Sequence, residues 1–436
     1  MIDEVRLKEE SPVAKDRSRA DMTEAEWKAA TKFDSTDWGW IIMSIGMAIG
    51  AGIVFLPVQV GLVGIWVFLL SAVVAYPGIY MLQKLFINTL VASPKSDDYP
   101  GVITQYLGKN WGFLLGILYF LMIVVGLFSY SLAITNDSAS FLHSFGVTDT
   151  LLSDNPFYGL ALIIILVALA SRGEKVLFKL STGMVLVKLG IVVALGFVMI
   201  PQWDFSNVGA VPEFGYLIKQ AVITMPFTVF SILFVQTLSP MVISYRSHNK
   251  SAEVAKYKSN RAMKIAFWVL FASVFFYAIS FNLAMSHEQA VIAAEQNISA
   301  LAMAAQGDGN VVKILGFVLN VFAVMTAFFG IFLGFRESSQ GIALNILRRF
   351  VPEERINKNL LSKGILVFGV LLAWGIIALN IPILLLMKYS GIIVALVSCL
   401  IPVFLVCKVP FLAKYRKPSL ILITIIGMFM LLSPFL

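Results

Sequence analysis

The chain has 436 residues, 59% of them hydrophobic and only 13% charged, with a mean hydropathy of +0.86 and a formal net charge of +8. A soluble domain typically carries about a quarter charged residues, so this composition excludes one and specifies an all-α polytopic membrane protein. The basic excess is spread over loops, where it reads as topology and contact with anionic membrane lipids, and it gives no sign of a nucleic-acid partner.

Residues 1–37 are polar and charged without an apolar core, so no cleavable signal peptide is expected and a disordered cytoplasmic tail is predicted. At its end, Asp34-Ser-Thr-Asp37 offers cap residues for a helix start. Beyond it, eleven apolar runs approach the ~20 residues needed to cross a bilayer. They are 38–60, 62–83, 111–142, 157–170, 176–200, 216–244, 262–285, 311–335, 364–379, 383–407 and 419–436. A short helix is expected over 99–107 after Pro94, and loop helices near Ser286 and Glu295 over the outer mouth. No soluble domain interrupts the spans, so 38–436 reads as one transmembrane domain.

Charge sets the orientation. With the N-terminus inside, the cytoplasmic segments collect Arg6, Lys28, Lys95, Lys109, Arg172, Lys179, Arg246, Lys256, Lys258, Arg261, Arg348, Lys408 and Lys414, among others. The opposite loops hold mostly acids, including Asp137, Asp149, Asp204, Glu213, Glu288 and Glu295. The positive-inside rule then places the C-terminus of an eleven-span chain outside. Cys399 and Cys407 lie eight residues apart on one expected helix, hence roughly 12 Å apart and beyond disulfide reach.

Two spans carry breaking residues at mid-depth. The first contains Gly46-Met-Ala-Ile-Gly50-Ala51-Gly52, which weakens a helix where hydrocarbon has no water to satisfy freed backbone groups. Such glycines serve either close helix packing or a binding site built from half-helix ends. In the sixth, Pro240 removes a helical bond near Ser231, Gln236, Thr237 and Ser239, so the interruption is expected there. Paired interruptions at spans one and six predict two five-span repeats of inverted topology, about 38–200 and 216–407, with a span at 419–436 outside the repeat.

Lys188 stands inside an apolar stretch of the fifth span, nine residues and roughly 13 Å beyond Lys179. A basic group so deep is either part of an ion or proton path, where its ammonium can stand in for a bound sodium ion, or a lysine whose stem snorkels to the interface, which that depth disfavours. Tyr130, Ser131 and Asn136 on the third span are candidates for contact with a ligand, and Thr326 sits at mid-depth on the eighth. Arg336 and Glu337 are expected to pair at the inner mouth. No phosphate loop, metal-ligand spacing, nucleophile–base set or paired intramembrane carboxylates occur, so neither an enzyme nor a bound cofactor or metal is expected.

The first span through Phe55-Leu-Pro57, with Tyr130-Ser-Leu-Ala-Ile-Thr-Asn136, Glu295-Gln-Asn-Ile-Ser299, Leu333-Gly-Phe-Arg-Glu337 and Lys408-Val-Pro410, resembles the hydroxy and aromatic amino acid permeases. That family is a bacterial branch of the amino acid/polyamine/organocation superfamily, and the resemblance runs from about Asp37 to the C-terminus, nearest to the serine and threonine members. It implies a leucine-transporter-like fold in the bacterial inner membrane and proton-driven symport of serine or threonine. Carriage of aromatic or other neutral amino acids, with sodium as the coupling ion, is the alternative. By the same resemblance, backbone N–H groups of Ala48, Ile49, Gly50, Ala51 and Gly52 would hold the substrate carboxylate, carbonyls of the first and sixth spans its amino group, and Ser231 with its neighbour Phe230 would read the side chain, with Tyr130 and Thr326 as the further candidates named above. A lysine in the fifth span is a proton site in some distant superfamily members, which suggests that role for Lys188.

Overall fold

The computed structural model describes residues 19–93, 99–170, 174–248, 251–307, 310–347, 350, 352 and 355–436, with backbone alone at 20, 51, 174–182, 248 and 345. Among these, regular structure is helical throughout. That follows from the solvent: inside hydrocarbon every backbone N–H and C=O must find a partner within the protein, and a helix supplies them locally.

Helix α1 (Glu24–Ala30) begins with a Thr23/Glu26 capping box and lies against the basic end of the bundle, Trp27 meeting Tyr257 edge-on at 5.7 Å. The expected disordered tail is therefore corrected for residues 19–33, because this amphipathic turn has a packing surface to fold on; residues 1–18 lie outside those described. The first span is two helices, α2 (Ser35–Ala48) and α3 (Ala51–Val63), the segments Ser35–Ala48 and Gly52–Val63 being bent by 42°. Asp34 caps α2 by accepting from Thr36 and Asp37 N–H, as its position predicted.

Next come α4 (Ile65–Ala92), the short α5 (Tyr99–Leu107) and the 36-residue α6 (Lys109–Ser144). Because α6 continues to Ser144, Asp137 is a buried helical residue and not part of an outer loop. Helices α7 (Pro156–Ala170) and α8 (Glu174–Val198) follow. The sixth span again has two parts, α9 (Phe214–Phe230) and α10 (Leu238–His248). Its interruption lies before Pro240, at Ser231–Thr237. Pro240 sits in the first turn of α10, where a missing N–H costs nothing.

Helix α11 (Ala252–Ala284) leads to the loop helices α12 (His287–Glu295) and α13 (Ala300–Ala304), then to α14 (Asn310–Leu347) and α15 (Lys358–Leu379). The tenth apolar run is α16 (Ile383–Val394), a π-helical turn over Ala395–Leu400 and α17 (Ile401–Lys408), with α18 (Ser419–Leu432) last. Eight helices among the described residues are long and apolar enough to span a membrane, nine with the bent pair, and Pro156–Ala170 and Ser419–Phe435 are shorter apolar helices. Helices α3 and α9 pack on each other, α2 between α8 and α11, and α14 against α6 and α8. The site is therefore walled by intact helices around two broken ones.

Candidate functional site

The break in the first span can be followed bond by bond. Ile49, at φ −76° and ψ 88°, forms an inverse γ-turn in which Gly50 N–H donates to Ala48 O at 2.9 Å. Ile53 N–H then donates to Gly50 O at 3.1 Å. These two shifts leave the carbonyls of Gly46 and Ile49 without the N–H groups, of Gly50 and Ile53, that a continuous helix would give them. Lys188 of α8 supplies the replacements: its ammonium donates to Gly46 O at 3.2 Å and to Ile49 O at 3.1 Å. A third bond of 3.1 Å reaches the Thr326 hydroxyl on α14, which itself donates to Phe322 O at 2.6 Å. Lys188 is 1% exposed, and no carboxylate forms an ion pair with it among the described residues. A buried positive charge is thus held by three neutral oxygens, the kind of ligand set that unwound helices give a coupling cation.

On the other face of the break, the first turn of α3 has N–H groups without helical acceptors, a preformed place for an anionic group. Tyr130 of α6 stands over it: a Cβ on Gly50 would lie 2.7 Å from the Tyr130 hydroxyl. Space, and not backbone conformation, is what requires glycine there. Gly52 faces the sixth span, where a Cβ would lie 2.5 Å from Phe230 O and 2.7 Å from its carbonyl carbon. Ala48 and Ile49 are buried, and Ala51 opens α3. The structure thus brings the backbone of 48–52, Tyr130, Phe230, Lys188 and Thr326 around one break.

Ser231 takes a different direction. Its hydroxyl donates to Thr228 O at 2.7 Å and lies 3.4 Å from the Tyr76 hydroxyl on α4. Helix α4 lines the sixth span with polar groups, Ser71 bonding Thr228 at 2.9 Å and Gln83 accepting from Phe234 N–H at 3.4 Å. Below the breaks, Ser44 and Thr237 join the two spans through hydroxyls 3.1 Å apart.

Both ends of the bundle are tied by groups that the sequence reading missed. At the basic end, fully buried Asp37 accepts from Tyr245 of α10 at 2.8 Å and from Arg261 of α11 at 3.0 Å, while Lys258 lies 2.5 Å from Asp34 and 3.4 Å from Asp37. Among the described residues Arg336 and Glu337 form no ion pair with each other, unlike the pairing expected there. Lys258 and Arg261, three apart on a helix, were a legible signal of a shared face. At the opposite end, Asp137 accepts from Ser299 N–H at 2.7 Å and from the Asn320 amide, and Asn136 donates to Asn297 O at 3.4 Å. His287 Nδ1 lies 2.9 Å from Gly61 O, tying α12 to α3. No cluster of metal-ligating side chains occurs among the described residues.

The amino acid permease family model matches residues 37–436. A probable serine transporter of Escherichia coli K12 is 64% identical over 422 residues, covering 96% of this chain and 95% of that protein. The serine transporter SdaC of the same strain is 28% identical over 391 residues, covering 87% and 89%. Among solved structures, MhsT in complex with L-phenylalanine superposes with a TM-score of 0.52 at 13% identity, covering 90% of this chain and 98% of that one. A manganese transporter of Eremococcus coleocola, bound to an aromatic bis-isothiourea compound, gives 0.53 at 13% identity, covering 95% and 88%. These two share the fold.

Replacing Gly52 by Ala drives a methyl group into the Phe230 carbonyl and is expected to destabilise the contact between the broken spans by about 2 kcal/mol, with substrate affinity falling in a direct binding assay. Asp37→Asn removes the charge that Arg261 and Lys258 share. Breaking one side of a buried pair costs up to about 3–5 kcal/mol, less where the cation reaches water. A clear fall in the thermal unfolding midpoint is expected.

Proposed function

The chain belongs to the amino acid permease family and is a multi-pass membrane transporter, and on that premise we propose that it is a proton symporter that accumulates serine or threonine in the cytoplasm. Serine is the substrate named for the 64% identical relative. The first turn of α3 would take the substrate carboxylate, with Tyr130 beside it and the Phe230 carbonyl available to the amino group.

The observation that carries the proton assignment is the bonding of Lys188 to the two carbonyls orphaned by the break and to Thr326. A protonated amine has three N–H donors for three oxygens. A neutral amine has two and a lone pair, so it can keep both carbonyls only by turning the lone pair to Thr326, whose hydroxyl must then leave Phe322 O to donate; loss of the proton therefore changes the bonding where the first span meets α14. The same ammonium occupies the place a sodium ion would need, which favours the proton over sodium. Proton occupancy and the bonding around the break are in this way one variable.

Alternating access would then involve the ties at the two ends, Asp37 with Arg261 and Tyr245 on the basic side and Asp137 with Ser299 and Asn320 on the other. Both spans that the inverted five-plus-five arrangement requires to be interrupted are interrupted. Charge placement supports a cytoplasmic N-terminus and a periplasmic C-terminus.

Membrane vesicles containing the protein are expected to accumulate labelled serine when an inward proton gradient is imposed. Stimulation by a sodium gradient in its place overturns proton coupling, and competition by aromatic but not hydroxy amino acids overturns the substrate. In Lys188→Ala, gradient-driven accumulation should vanish while serine binding falls less, read as a reduced but retained protection against thermal unfolding; accumulation at the unmodified level removes Lys188 from the coupling step.

A further inference from the structure

At the basic end of the bundle the cations fall into two groups. Lys258 and Arg261 are engaged by Asp34 and Asp37, Arg246 donates to Ser93 O at 2.5 Å, and Arg416 closes α17 by donating to Val406 O at 3.1 Å and Cys407 O at 2.7 Å. Lys84 of α4, Lys256 of α11, and Lys414 and Lys417 between α17 and α18 form no ion pair among the described residues. Lys84, Lys414 and Lys417 all lie near enough to Lys256 to repel it, and Glu253 is the acid that offsets them. Glu253 is itself engaged by the N–H of Arg19. Three elements far apart in sequence thus bring four positive charges to one surface against one shared carboxylate among the described residues.

Aromatic rings organise the cluster. Tyr415 lies between two of the lysines, Lys256 Nζ at 5.5 Å and Lys414 Nζ at 5.4 Å from its ring centroid, and Lys414 is also 5.2 Å from the centre of Phe411. The linker that carries them is anchored by buried Val409 and Leu412 and packs on α4. Phe411 is 53% exposed, and on α17 Phe404 is 40% exposed with Trp111 stacked on it at 5.0 Å. Lysines beside exposed rings at the ends of spanning helices mark the level where acyl chains give way to headgroups. Free phosphate would use the ammonium groups alone; a phospholipid would use the rings as well.

We propose that Lys256 and Lys414, gathered around Tyr415, form with Lys84 and Lys417 a binding site for the phosphate of an anionic phospholipid, whose chains run along the Phe404–Phe411 surface. The headgroup relieves repulsion among the four lysines and fastens the end of α11 to α4 and to the linker before α18. The site does not depend on which amino acid or ion is carried.

The test uses the full chain, purified and stripped of lipid, then supplied with phosphatidylglycerol, with phosphatidylcholine or with inorganic phosphate. Native mass spectrometry is expected to find phosphatidylglycerol retained through detergent washing and phosphatidylcholine lost, and phosphatidylglycerol alone should raise the thermal midpoint. The variant Lys256→Gln/Lys414→Gln/Lys417→Gln should lose both effects while its midpoint in phosphatidylcholine stays at or above that of the unaltered protein; if it does not fold, Lys414→Gln, on the exposed linker, should show a partial loss. Equal retention of phosphatidylglycerol by variant and unaltered protein overturns the proposal. So does an equal stabilisation by phosphatidylcholine, or by inorganic phosphate, the latter indicating a site for the free anion.

Discussion

A helix interrupted inside hydrocarbon leaves carbonyl groups that water cannot reach, and in this protein the interruption stands because one ammonium from another helix takes them. The γ-turn at Ile49 costs the carbonyls of Gly46 and Ile49 their helical donors, and Lys188 returns a donor to each. The dependence is mutual. Without the orphaned carbonyls a lysine at that depth would lack acceptors, and without the lysine the unwound backbone would hold unpaired polar groups at a cost of several kcal/mol each. Thr326 completes the set and draws α14 into it, so three spans meet at a single charge.

The second interruption is sustained differently. Among the described residues no charged side chain bonds to it; α4 lends Ser71, Tyr76 and Gln83 to the residues around it, and the first span lends Ser44. Its backbone touches the first break at Gly52, so neither interrupted span can shift without the other. One break is held by charge and the other by a row of neutral hydrogen bonds. Only the first has a partner whose bonding changes when a proton leaves.

How much of this was legible in the sequence depended on whether a residue announced its role locally. Gly50 and Gly52 did, since glycine in an apolar run conflicts with the helix lipid demands, and so did Lys188, whose charge conflicts with its surroundings. The sixth-span break was misplaced because Pro240 looks disruptive but sits harmlessly in a first helical turn, whereas Ser231–Thr237 contains neither Gly nor Pro and is opened by partners on α4. Asp37 read as a cap, which it is, but its ion pair comes from α11, 224 residues away. Asp137 was placed in a loop because a polar helix end near the interface looks the same whether it meets water or Ser299 and Asn320. The family motifs around Asn136 and Asn297 were recognised separately, and only the fold shows that they touch.

The two halves of the first span answer to different neighbours. The inner half is pinned at Asp37 to α10 and α11, and the outer half is tied at Gly61 to the loop helix α12, whose Ala290 lies against that same glycine. Between the pins the chain has one soft point, the few dihedral angles around Ile49 and Gly50. The span therefore behaves as two levers on a common pivot: either arm can swing while the other stays clamped, and the pivot itself is where the ligand would sit.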